Sequence, residues 1–276
     1  MLHERIYLDP SDERVYIDTY VANDKTVTRD AMLVIPGGGY HGVATVREGE
    51  PVALAYFAKG FNAFVLNYRV SGYAEQPEAD AYPSQLIDAS RAILHIKQNA
   101  EKYGIDPERV FAMGFSAGGH LAGSLAVLHS DPEVIAALGC APGENRPRAC
   151  VLSYPVVTAM ANTHEGSFAH LMRKPFAEIS EADRRRLSLE EQVDEHSAPL
   201  FIWHTAEDKA VPPIGSLLLT AKYIERSIPV SLHVYPYGPH GIALANLFTS
   251  GGNPNFVQPE AQGWLDTSVE WLNTLK

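Results

Sequence analysis

The chain has 276 residues, 46% of them hydrophobic, which is enough for a sizeable α/β core. Its 22 Lys and Arg against 33 Asp and Glu leave a net charge of −11, which argues against nucleic acid and anionic membrane surfaces as partners and for a neutral or cationic small molecule. The charged N-terminal stretch "MLHERIYLDPSDERVYIDTY" has no apolar segment of the secretory type, so a cytoplasmic, membrane-free protein is expected.

Taken in chain order, "RVYIDTYV" (14–21) alternates apolar and polar residues like a half-exposed strand. "AMLVI" (31–35), "FNAFVLNY" (61–68), "RVFAMGF" (109–115) and "ACVLSYP" (149–155) are nearly continuous apolar runs that suit strands buried on both faces. Between them, Leu86, Ala89, Ile93, Ile96 and Ala100 recur at three- and four-residue steps, predicting a helix that stops at Gly104. The segment from about 158 to 195 breaks the alternation with charge-rich helical text and reads as a small cap-like insertion above the sheet. Its Arg184-Arg185-Arg186 triplet sits among acids, as a solvated helix face does. "PLFIWHT" and "PVSLHVYP" add two late strands, and "LTAKYIERS" and "WLDTSVEWLNTLK" two late helices. Alternation of this kind predicts one domain over 1–276, of α/β class, with a mostly parallel central sheet covered by helices on both faces. Cys140 and Cys150 bracket a short loop and are expected as reduced thiols, and no metal-ligand spacing is present.

The break in "RVFAMGFSAGGHLAG" carries the chemistry. Gly114-Phe115-Ser116-Ala117-Gly118 places a serine between a buried strand and a helix of small residues, the setting of a nucleophile elbow, with the helix N-terminus turned toward the hydroxyl. A helix-capping serine would explain Ser116 but not the glycines around it. A serine hydroxyl needs a base, and the base an acid to orient it. Asp208 follows the end of the strand in "FIWHTAEDKAVPP", with Glu207 beside it as an alternative that pattern alone leaves open and Asp194 as a weaker one. His240 stands in a Pro/Gly loop after the next strand. His120 is expected to pack behind the elbow and His204 and His233 within strands, while His129, His164, His170 and His196 have no turn context favouring them. Gly37-Gly38-Gly39 after the strand 31–35 suits an oxyanion pocket, with the N–H groups of Gly38, Gly39 and Ala117 as donors. No Lys-Ser/Thr pair follows those glycines, which excludes a phosphate loop, and a dinucleotide fingerprint lacks its third glycine.

Together "PGGGY", "NYRV", "GIDPERVFAMGFSAGGHLA", "HTAEDKAVP" and "GPHG" resemble the α/β-hydrolase superfamily, in its esterase branch related to hormone-sensitive lipase, acetyl esterases and xylan esterases. Pro36 stands where the lipase-like branch usually has histidine, which makes the chain look more like carbohydrate acetyl esterases and feruloyl-esterase-like proteins. The resemblance implies a serine esterase with Ser116, Asp208 and His240 as its triad, needing neither metal nor cofactor. Its implied substrate is a small ester, acetyl on a sugar or oligosaccharide, with a homo-oligomer left open. Tyr40 and Tyr237 are the candidate rings for stacking on a sugar, with simple packing as the alternative for either. No exposed apolar helix is expected, as an oil surface would require. The competing readings are a serine peptidase or acyl-peptide hydrolase, which usually carries a further large domain, and a non-catalytic binding protein.

Overall fold

The computed structural model describes residues 1–72 and 80–275. Among these residues eight strands form one sheet: β1 (Arg5–Tyr7), β2 (Tyr16–Tyr20), β3 (Arg29–Ile35), β4 (Asn62–Asn67), β5 (Ile105–Phe115), β6 (Cys150–Ser153), β7 (Leu200–Thr205) and β8 (Val230–Tyr235). Their spatial order is β1-β2-β4-β3-β5-β6-β7-β8. Strands β1 and β2 pair antiparallel at one edge, and every pair from β4 to β8 is parallel. The helices are α1 (Thr45–Glu48), α2 (Glu50–Ala58), α3 (Ser84–Gln98), α4 (Ala100–Tyr103), α5 (Ser116–Val127), α6 (Pro132–Leu138), α7 (Glu165–Met172), α8 (Glu181–Leu187), α9 (Ile214–Glu225) and α10 (Trp264–Thr274).

Side-chain alternation along β3 shows why the central strands read as unbroken apolar runs. Ala31, Leu33 and Ile35 enter one core with Leu86, Ile93 and Ile96 of α3, Leu121 and Leu125 of α5 and Leu219 of α9. Met32 and Val34 point the other way, into a second core with Val52 and Tyr56 of α2 and Trp264 and Leu272 of α10. A strand covered on both faces has no polar side to display.

The helix expected to run to Gly104 is two helices: α3 ends at Gln98, and α4 closes on Gly104 in the left-handed conformation (φ +62°). Strand β1 has no signal in the sequence, because three residues of partly charged text offer no periodicity and the strand exists through its pairing with β2, locked by the Arg5–Asp18 ion pair at 2.8 Å. The expectation of no exposed apolar helix needs correcting. Helix α9 leaves Ile214, Leu217, Leu218 and Ile224 exposed, since its buried stripe rests on only Gly215, Ser216, Leu219 and Tyr223. Cys140 and Cys150 are free thiols. No helix among the described residues is long and apolar enough to cross a membrane.

Candidate active site

Strand β5 ends at Phe115 and α5 begins at Ser116 with no intervening loop, so the chain reverses within one residue. Ser116 takes φ +53°, a left-handed conformation that a side-chain-bearing residue adopts only when its surroundings enforce it. The flanking glycines supply that enforcement. A Cβ on Gly114 would run into the carbonyl of Gly118, and one on Gly118 into the carbonyl oxygens of Ile35 and Pro36. The spacing in the pentapeptide is therefore a packing requirement of the turn.

Ser116 Oγ lies 2.8 Å from His240 Nε2, and His240 Nδ1 lies 2.6 Å from Asp208 Oδ2. Asp208 is buried. Its other oxygen, Oδ1, accepts from the backbone N–H of Ala210 at 3.0 Å and of Val211 at 2.9 Å, which fixes the carboxylate plane. Burial alone would raise its pKa, but the hydrogen bonds from His204 and His240 outweigh it and hold the carboxyl well below the usual range. Because Oδ2 is an ionised acceptor, Nδ1 of His240 carries the proton and Nε2 is free to accept from the Ser116 hydroxyl. This alignment can move a proton from serine to imidazole.

The glycine loop faces the same point. Gly38 (φ +125°) and Gly39 (φ +63°) line a cavity of about 340 Å³ together with Ser116 and His240. The carbonyls of Gly37 and Gly38 are used inside the loop, accepting from Ala44, His41 and Gly42. Among the described residues nothing accepts from the N–H of Gly38, Gly39 or Ala117.

Behind this loop lies Glu48, a carboxylate with no sequence signal. Its oxygens accept from Gly37 N–H at 2.8 Å and Tyr154 OH at 2.9 Å, and the same phenol oxygen accepts from Ala243 N–H at 3.0 Å. Burial pushes the Glu48 pKa up, opposed by those hydrogen bonds. The Tyr154 ring meets the His240 ring edge-on at 5.0 Å, so one buried network ties the glycine loop to the histidine loop.

His164 and His170, which no turn context favours in the sequence, line the cavity. His164 caps α7: its Nδ1 accepts from Ser167 N–H at 3.2 Å, which puts the ring proton on Nε2. Burial, with His240 and His170 nearby, lowers its pKa, so the ring is a neutral donor. His170 donates from Nδ1 to the carbonyl of Gly39 at 3.0 Å and steadies that peptide. His164 caps the start of α7 and His170 lies in its last turn, and neither place gives a histidine a sequence signature that points to the site, which is why sequence reasoning misses both.

The other candidates fall elsewhere. Tyr40 is 1% exposed and its OH donates to His120 Nδ1 at 2.8 Å, so it is a packing residue and has no face for a sugar. Tyr237 is 59% exposed and lines neither cavity at His240. Glu207 accepts from Gly238 N–H at 3.2 Å and lines a second cavity of about 590 Å³ that reaches His240, with Lys209, Asn255 and Gln258. Asp194 caps its own turn at His196 and Ser197. His120 is buried as expected, its pKa pushed down by burial to about 4. His204 does more than fill the core: its Nε2–H, donated to Val211 O at 2.9 Å, also lies 3.3 Å from Asp208 Oδ2. His233 stacks on Phe201. Arg184, Arg185 and Arg186 are each engaged, by backbone carbonyls or by neighbouring acids.

A family model described as BD-FAE matches residues 17–223. The chain belongs to the BD-FAE family. This BD-FAE chain is 40% identical over 232 residues to endo-1,4-beta-xylanase B of Butyrivibrio fibrisolvens, covering 82% of the chain and 34% of that protein. It is 26% identical over 221 residues to the acetylxylan esterase of Xylanibacter ruminicola, covering 79% and 42%. The chain thus spans a third to two fifths of the length of these two relatives. Among solved structures, the acetyl ester-xyloside bifunctional hydrolase of Caldicellulosiruptor lactoaceticus superposes with a TM-score of 0.80 at 31% identity, covering 98% of this chain and 96% of that one. The fold is that of the α/β hydrolases, with the parallel sheet and flanking helices described above.

Proposed function

We propose that this BD-FAE member is a serine esterase that removes short acyl groups, acetyl above all, from sugars or oligosaccharides through a covalent acyl-serine intermediate. The observation carrying the reading is the continuous hydrogen-bonded line from Asp208 through His240 to Ser116, ending beside three N–H groups that nothing in the described chain uses. In this reading Ser116 Oγ attacks the ester carbonyl as His240 Nε2 takes its proton, and Asp208 holds the resulting imidazolium. The N–H groups of Gly38, Gly39 and Ala117 receive the charge on the carbonyl oxygen, each worth about 3 kcal/mol in comparable sites. His240 returns the proton to the departing alcohol, and water repeats the sequence on the acyl-serine. The scheme draws on side chains and backbone alone.

The acetyl-on-sugar preference is supported by a cavity of only about 340 Å³ walled by histidines, glycines and an arginine, a lining that suits a small polar ester better than a long acyl chain. The names of the Xylanibacter and Caldicellulosiruptor relatives point the same way.

Ser116→Ala tests the reading. Hydrolysis of an aryl acetate should fall by at least about 10³-fold with folding intact. Undiminished turnover by the variant would end the case for Ser116. Faster turnover of long-chain than of acetyl esters by the unaltered protein would refute the substrate assignment.

A further inference from the structure

One charged side chain in the cavity is given no task by the scheme above. Arg47, at the end of α1, lines the wall alongside Ser116 and His240. Its guanidinium carbon sits 4.9 Å from the centroid of the Phe256 ring. Nη2 lies 3.3 Å from where a Cβ on Gly241, the residue after His240, would stand. Nε is buried without a hydrogen-bond partner, and no described residue forms an ion pair with the group. The adjacent carboxylate, Glu48, is committed through both oxygens to Gly37 and Tyr154.

A guanidinium is a cation with five donors, and a buried one left without an acceptor is costly. Its planar fork matches a carboxylate bidentately. His164, on the same wall, presents Nε2–H as a further donor. In a chain of net charge −11, this is a local site for an anion. Its place beside Gly241 puts it next to the histidine that hands a proton to the departing alcohol, on the leaving-group side of the scissile bond.

Resting on the esterase reading, we propose that Arg47 is the specificity-determining group of the site and binds a carboxylate carried by the alcohol portion of the ester. The preferred substrates are then acetyl esters of acidic, uronate-type sugars, not of neutral ones. This revises the expectation, drawn from net charge alone, that the ligand is neutral or cationic.

The test uses a matched pair, methyl glucuronoside and methyl glucoside acetylated at the same hydroxyl, which differ at one carbon bearing either a carboxylate or a CH₂OH. The unaltered protein should favour the glucuronoside ester in kcat/KM by on the order of 10- to 100-fold, as a charged hydrogen-bonded pair implies. The ratio should shrink at high ionic strength. Arg47→Gln should bring it to about one, and Arg47→Lys should restore part of it. A ratio near one in the unaltered protein, or equal losses on both esters in Arg47→Gln with the ratio intact, overturns the proposal, the latter by reducing Arg47 to a prop for Phe256. If Arg47→Gln does not fold, the salt dependence and Arg47→Lys decide.

Calorimetric titration of the Ser116→Ala protein with methyl glucuronoside, methyl glucoside and acetate keeps the two readings apart. Arginine-dependent binding of the glucuronoside without hydrolysis of either ester upholds the anion site and sinks the esterase. Arginine-dependent binding of acetate alone overturns the assignment to the alcohol side.

Discussion

Replacing Asp208 by asparagine is the most informative single change, because the structure dictates which way the amide must face. Oδ1 accepts two backbone N–H groups, from Ala210 and Val211, so the oxygen of the new amide has to take that place. The NH₂ is then forced into the position of Oδ2, opposite Nδ1 of His240 and Nε2 of His204. Two donors facing one another repel, and His240 relieves the conflict by moving its proton to Nε2, with Nδ1 accepting from the amide. Nε2–H now points at Ser116 and is unable to take the hydroxyl proton. Imposing the wrong tautomer in a triad of this geometry costs about 10⁴-fold in kcat, equivalent to about 5.4 kcal/mol of barrier. The assay is steady-state hydrolysis of an aryl acetate near neutral pH, with circular dichroism to show that the fold persists. A loss of less than about tenfold would refute the reasoning, since it would mean that His240 does not depend on Asp208 for its tautomer.

The remaining predictions concern the supports of the site. Gly118→Ala pushes a methyl into two backbone carbonyls that cannot rotate away, so a lower melting temperature and at least about 1–3 kcal/mol of destabilisation are expected by denaturant titration; an unchanged midpoint would contradict the close approach. Glu48→Gln keeps one acceptor where two donors need one each, and should loosen the Gly37 and Tyr154 contacts enough to lower kcat by about tenfold or more; full activity would show the network to be dispensable. For pH, the folded-state pKa of Asp208 lies below its unfolded value, so its stabilisation is complete above the usual aspartate value of about 3.9 and is lost as pH falls from there through the folded value. Denaturant midpoints between pH 7 and 3 should therefore drop more steeply for the unaltered protein than for Asp208→Asn, and parallel curves would argue against the depressed carboxyl.

Sequence patterning exposes the fold wherever burial is two-sided. The runs 31–35, 61–68 and 109–115 carry β3, β4 and the end of β5, because strands covered on both faces take mostly apolar side chains. It also exposes Ser116, Asp208 and His240, since each sits at a strand end where glycine or proline marks a turn, and the structure brings the three together. What stays hidden lacks such punctuation. Glu48 and Arg47 lie in a four-residue helix and face the site through folding of the glycine loop, and His164 and His170 reach it from the cap and the last turn of α7, about fifty residues beyond the elbow in the chain. Tyr40 misleads for a related reason: adjacency to Gly39 in the chain suggests access, but its positive φ of +57° turns the ring inward onto His120.

Helix α5 has a further consequence for how this molecule behaves outside its native state. All twelve of its residues are buried, and three of them, Gly118, Gly119 and Gly123, each weaken an isolated helix by about 1 kcal/mol. Such a segment has no means of standing alone in water. On the esterase reading, the reactive hydroxyl is thus born only when the strands and both helix layers have closed around it, so a nascent or heat-loosened chain would carry an inert serine, and recovered turnover during refolding would report completion of the whole structure, not of one part.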